Sequence, residues 1–188
     1  KSVKSMKKLF IVSVIGIVLL SACTPNKPSS YRGLPQQYTT AYEQIYGHCY
    51  DSLSYAVVGL DIYSDGLTLD EERRIKGTGY NLCITDIFVP DSLLEEGEYR
   101  SLPYTEQGIA DPQPFTFLPG RDFEGYPHGM YILNIEEDKV LSIQVLDSGS
   151  MVYRNDSLTF TLYFRNTYGS RVTYNCYFTG SLMPWLKQ

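Results

Sequence analysis

The side chains able to act as acid, base or nucleophile are few, and their spacing is poor. Only two histidines occur in the 188 residues. His48 sits beside Cys49, which raises a thiol–imidazole pair, but neighbouring residues on a strand point to opposite faces and no third group stands ready to orient the ring. His128 lies near Asp122 and Glu124 in a stretch rich in Pro and Gly, where a solvated loop histidine is expected rather than a general base or a ligand. The adjacent acids Glu95 and Glu96, and Glu136 and Glu137, fall at turns and read as solvated charge. Asp61, Asp65, Gly66 and Glu72 match positions 1, 5, 6 and 12 of a calcium loop, yet Tyr63 stands where an oxygen ligand belongs and a strand pattern precedes them. Neither a Cys/His zinc spacing nor a phosphate-cradling glycine loop occurs. The expectation from these residues is no enzyme, no metal and no cofactor.

The N-terminal segment carries a different chemistry. Lys7 and Lys8 precede the apolar run Leu9 to Leu20, which stops at Leu20-Ser21-Ala22-Cys23. A basic segment, a short apolar run and small residues before a cut site make a secretory signal, and the run is too short to span a bilayer comfortably. The tetrapeptide resembles the bacterial lipobox, whose cysteine thiol takes a diacylglyceryl group before the chain is cut and the new amine acylated. Residues 1–22 are therefore expected to be a signal peptide starting at Met6, and Cys23 the lipidated residue that holds the protein to a lipid bilayer. Cleavage there would leave 166 residues and, with four Lys and no acid removed, would take the formal charge from −5 to −9. Such an acidic chain argues against nucleic acid as a partner. Residues 23–37, rich in Pro, Ser, Asn and Gln, read as a flexible tether, and 38–188 as one domain.

The strongest structural signal is a hairpin between Ser157 and Gly180. Leu158, Phe160, Leu162 and Phe164 alternate with polar residues, as do Val172, Tyr174, Cys176 and Phe178. A turn around Thr167, Tyr168 and Gly169 sets Phe164 opposite Val172 and Leu158 opposite Phe178, and a slip of one residue would set every apolar side chain against a polar one. Tyr55 to Tyr63 alternates and ends at Asp65-Gly66. Tyr80 to Val89 is apolar on both faces, as in a covered central strand, with Leu82, Ile84 and Phe88 on one side and Cys83, Ile87 and Val89 on the other. Glu96-Gly97 feeds a strand. Gly129 to Glu136 pairs with Val140 to Asp147, and Asn155-Asp156 turns Met151 to Arg154 into the first hairpin. Thr68-Leu69-Asp70-Glu71 has capping-box spacing, with Asp70 and Arg74, and Glu72 and Lys76, at i, i+4, so a short exposed helical turn is expected before Gly77, with a charged, solvated loop as the alternative. Tyr38 to Tyr50 fits a helix face and a strand face equally well. Pro103 to Pro127 is the longest irregular stretch, the kind that is often functional or mobile. The whole predicts an all-β domain, an antiparallel β-sandwich of about eight to ten strands, with a small lipocalin-like β-barrel as the alternative.

Tyr46-Gly47, Leu60 to Gly66, Gly77-Thr78-Gly79, Ile87-Phe88-Val89-Pro90, Glu96-Gly97-Glu98-Tyr99, His128-Gly129-Met130-Tyr131 and Tyr177-Phe178-Thr179-Gly180-Ser181-Leu182 are similar in order and spacing to small lipoproteins of Bacteroides-type bacteria. That resemblance implies an all-β outer-membrane lipoprotein, with no activity to carry over. It also implies a face: lipoproteins sent to the cell surface usually carry acids just after the lipidated cysteine, and Thr24-Pro25-Asn26-Lys27 has none, so a periplasm-facing anchor is expected.

All 17 Tyr lie beyond residue 22. On the polar face of the long hairpin Tyr163, Thr161, Asn175 and Tyr177 would form two rings set diagonally across a Thr/Asn floor, a candidate surface for stacking a glycan or an envelope protein's side chain. A non-catalytic binding or structural module is the favoured function, ahead of a barrel carrying a small apolar ligand and of a hydrolase. Among Cys49, Cys83 and Cys176 any single disulfide pairing is open.

Overall fold

Wherever apolar and polar residues alternate, the chain forms strand, and no helix occurs among the described residues. The computed structural model describes residues 33–48, 54–105 and 108–185. Cys23, the signal segment, most of the tether and Cys49 lie outside the described residues. In chain order the strands are β1 (Gln37–Tyr38), β2 (Thr40–Gly47), β3 (Ala56–Tyr63), β4 (Leu67–Leu69), β5 (Ile75–Gly77), β6 (Gly79–Val89), β7 (Gly97–Ser101), β8 (Tyr104–Thr105), β9 (Gly108–Ile109), β10 (Thr116–Phe117), β11 (Arg121–Phe123), β12 (Tyr126–His128), β13 (Met130–Glu136), β14 (Lys139–Val145), β15 (Ser148–Arg154), β16 (Ser157–Arg165), β17 (Arg171–Thr179) and β18 (Met183–Pro184).

The main sheet runs β1-β17-β16-β15-β7-β10-β6-β3-β2-β18, with β13 and β14 branching from β6. It is a strongly curled half-barrel of ten strands, and the division into two stacked sheets expected of a sandwich is not apparent. Two consecutive strands of the chain lie far apart along this path. β1 pairs in parallel with β17, while β2, one residue further on, pairs antiparallel with β3. Tyr38 is the joint: it is fully buried and its hydroxyl lies within hydrogen-bonding distance of Tyr174 Oη, at 3.1 Å. Tyr38 to Tyr50, ambiguous by periodicity, is thus strand as far as Gly47. Packing starts slightly before Tyr38, since Leu34 lies on the core and the Pro35 carbonyl accepts the Tyr174 hydroxyl.

The β16–β17 hairpin has the predicted register, with Leu158, Phe160, Leu162 and Phe164 opposite Phe178, Cys176, Tyr174 and Val172. Its inward residues join those of β3, β6, β7, β13 and β15 in one buried cluster. The turns at Asn155-Asp156 and Glu137-Asp138 both have positive φ at their two central residues, the backbone whose twist matches that of the strands they join.

Three expectations are corrected. Residues 67–77 form the β4–β5 hairpin rather than a helical turn. Asp70 does bond Arg74 at 2.9 Å, but across the turn, while Glu72 also takes Arg74 and Lys76 reaches Asp138. A helix of so few residues would bear the cost of nucleation without a packed face, whereas the strands lay Leu67, Leu69 and Ile75 against Tyr63 and Ile135. The second correction concerns β6. Between the pairs Leu60–Ile84 and Val58–Ile87, one residue of β3 faces two of β6, Thr85 and Asp86. This bulge resets the alternation, so Ile87 and Val89 join Leu82 and Ile84 in the main core while Phe88 turns outward to Val57 and Leu102. Third, the Pro-rich stretch is partly sheet: Thr116 and Phe117 insert between β7 and β6, with Phe117 fully buried.

Candidate functional site

The outward side chains of β3 are Val57, Gly59, Asp61 and Tyr63, and different structures cover the two ends of this row. Val57 lies under a cluster with Phe88, Leu102, Ala110 and Leu118, so the Pro-rich stretch covers that end. Tyr63 lies under Leu67 and Ile135 with the β4–β5 hairpin. Between the two covers the sheet is open, and a groove of about 250 Å³ opens over Gly59 and Asp61, beside the bulge of β6. Strand bulges recur beside sites because they re-aim side chains.

Gln44 and Tyr46 of β2, Asp61 of β3, Cys83 and Thr85 of β6 and Tyr131 of β13 line the groove. Sheet register aligns them. Tyr42, Asp61, Cys83, Tyr131 and Val145 form one transverse row over five strands. Tyr46 lies against Gly59, where an added Cβ would sit 3.1 Å from its ring, so the absent side chain at 59 is what lets the ring reach the groove floor.

Asp61 is the centre of the polar network. One oxygen accepts the Gln44 amide and the other the Asn81 amide at 3.3 Å. Gln44 in turn accepts the Tyr46 hydroxyl at 2.8 Å, and Cys83 and Tyr131 stand next to Asp61 in the row. Burial first, and the Asp61 charge second, push the Cys83 thiol well above its usual range; burial and then Cys83 raise the Tyr131 phenol. Both groups stay protonated at neutral pH, so Cys83 is neither a thiolate nucleophile nor a soft metal ligand. Asn81, itself buried, leaves its Oδ1 without a hydrogen-bond partner. Its amide is turned to give Asp61 a donor, at a desolvation cost of about 1–3 kcal/mol for the orphaned acceptor. The ion pairs of the described residues do not include Asp61. It is a half-buried carboxylate held by neutral donors alone.

The residues singled out from the sequence are placed elsewhere. Tyr163 pairs with Thr173, Thr161 with Asn175 and Thr159 with Tyr177, as predicted, and Asn175 and Tyr177 are exposed. None of Tyr163, Thr161, Asn175 and Tyr177 lines the groove, however, and the two rings are engaged by neighbours: the Arg171 guanidinium lies 4.0 Å from the Tyr163 ring centroid, and Tyr177 Oη donates to Gln37 at 3.2 Å. His48 lies 3.2 Å from the Tyr55 carbonyl. His128 sits on the β11–β12 hairpin opposite Arg121, and Asp122 accepts the Gly125 amide within that turn. Asp65 caps its own turn and Glu72 pairs with Arg74, so neither converges with Asp61; among the described residues no three His, Cys, Asp or Glu side chains cluster to hold a metal. Cys83 and Cys176 are separate buried free thiols, and burial pushes Cys176 up to about 12.

Asp61 was visible in the sequence only as a calcium candidate, and the groove as a whole was not. The available signal was a glycine and an acid inside the otherwise apolar run Ala56 to Ile62, which marks a close approach or a bulge rather than an ordinary core strand. The chain matches no family model, no curated protein and no solved structure, so the site is read from its own geometry.

Proposed function

We propose that this chain is a lipid-anchored envelope protein, held on the periplasmic side of the outer membrane through acylated Cys23, and that it is a non-catalytic module binding a glycan in the Asp61 groove. The architecture is read as the small barrel rather than the sandwich, because two consecutive strands of the chain, β1 and β2, lie far apart along the path of the curled sheet. The observation that carries the binding reading is the meeting of two tyrosine rings with a single carboxylate in a concavity. Its volume, about 250 Å³, is below the range of about 300–1,000 Å³ for drug-sized ligands, so it suits one ring of a larger chain. Aromatic rings offer a stacking face, and carboxylate oxygens accept hydroxyls.

Two features weigh against the other functions. Asp61 is the sole acid lining the groove and Cys83 stays protonated, which leaves a hydrolase without its second group. The inward aromatic residues, including Tyr99, Phe117, Phe160 and Phe164, pack into one cluster instead of lining a chamber for an apolar ligand.

The binding test is titration of the full chain against a glycan panel. Tyr46→Ala is expected to weaken binding by about five- to tenfold, the loss of one aromatic contact. A wild-type protein that binds no member of the panel would overturn the reading. For the anchor, a labelled fatty acid should mark wild type and not Cys23→Ala.

A further inference from the structure

Resting on the glycan reading, the arrangement of donors and acceptors in the groove narrows what can fill it. The Tyr46 hydroxyl donates to Gln44, the Gln44 amide to Asp61, and the Thr85 hydroxyl to Asp86 at 2.6 Å. Cys83 and Tyr131 follow Asp61 in the same transverse row. The Tyr46, Gln44 and Thr85 protons that make those bonds are engaged inside the protein. The groove therefore offers acceptors, the remaining lone pairs of Asp61 and phenolic oxygens, beside two aromatic rings.

A neutral sugar brings hydroxyls that need acceptors and donors alike, and closing it over Asp61 would strip water from a carboxylate that has no cation beside it. An ammonium group has three donors and no acceptor. It would neutralise Asp61 and lie against the rings of Tyr46 and Tyr131 in a cation–π arrangement. We infer that the groove selects a sugar ring bearing a free primary amine, with the ammonium on Asp61 and the ring against Tyr46.

The test compares four probes on the wild-type full chain at one ionic strength: a glucosamine oligomer, its N-acetylated counterpart, a glucose oligomer and Nα-acetyl-lysine methylamide. The glucosamine oligomer is expected to bind at least about tenfold tighter than the other two sugars, the least that a desolvated charge pair should provide. It should also exceed the lysine derivative, and its affinity should fall as salt rises. Asp61→Asn, nearly isosteric, should erase the preference for the amine, bringing the glucosamine oligomer down to the affinity of the neutral sugars on the same variant; a preference that survives the substitution would overturn the inference. Equal affinity for aminated and acetylated oligomers would overturn this inference while leaving the glycan reading intact. Failure of all three sugars would remove both. A lysine derivative binding as well as the glucosamine oligomer would overturn the assignment to a sugar.

Discussion

The β16–β17 hairpin and the Asp61 groove both present tyrosines on the outside of the same curled sheet, but the groove gathers its rings around a carboxylate in a concavity, whereas the outward row Thr159, Thr161, Tyr163, Thr173, Asn175 and Tyr177 carries no charge. The hairpin face is built from a single contiguous segment, its polar residues alternate regularly with core residues, and its rings lie against Arg171 and Gln37. The groove draws on four strands that come from distant parts of the chain, and it exists because a bulge in β6, a missing side chain at Gly59 and two separate covers leave a gap. An exposed tyrosine on a regular strand is therefore weak evidence for a site. A half-buried carboxylate that lies in a concavity with no cation paired to it is stronger, since a ligand can meet it there with several contacts at once.

The comparison can be sharpened on the groove's own wall, where a second acid points the other way. Glu43 of β2 is buried on the inner side and accepts the Leu94 amide at 2.6 Å. Burial raises its pKa above the usual carboxylate value, an effect that the Leu94 bond only partly offsets. The native state then binds this proton more tightly than the unfolded chain does, so Glu43 favours folding most at pH below about 4.5, loses that contribution as pH rises through its folded pKa, and leaves a cost above it. Glu43→Gln should stabilise the protein at neutral pH by about 0.5–2 kcal/mol and flatten this slope, as read by urea melts across pH 4 to 8. Asp61→Asn should show no such gain. If the two substitutions behaved alike, Asp61 would be a structural acid, and the contrast between groove and hairpin would lose its basis.

The smallest expected effect is on the hairpin face. Replacing Tyr163 and Tyr177 together by Ser should change stability by no more than about 1 kcal/mol, within what two surface substitutions typically cost. Glycan binding should be unchanged. A loss of binding comparable with that of Tyr46→Ala would move the site to the hairpin.

The β15–β16 turn was legible in the sequence because positive φ at both central residues calls for small polar types, which Asn155-Asp156 supplies. The segment from Leu67 to Gly77 misled because charges at i, i+4 are also within reach across a tight hairpin turn, as Asp70 and Arg74 are. On β6 strict alternation assigned the wrong face to Ile87, Phe88 and Val89, since a bulge is set by the partner strand and leaves no mark in a run that is apolar on both sides.

The sequence by itself determined the all-β class, the register of the long hairpin and the inward direction of Cys176, because each follows from neighbours a few residues apart: alternation, turn chemistry and the twofold period of a strand. The tertiary structure alone decided that the sheet curls, with Gln37–Tyr38 on β17 and Thr40–Gly47 on β3, that Asp61, Cys83 and Tyr131 fall in one row, and that a groove stays open over Asp61. Those outcomes depend on pairings between strands that are tens of residues apart. Their registers are selected by how the whole core packs, and no local pattern encodes that.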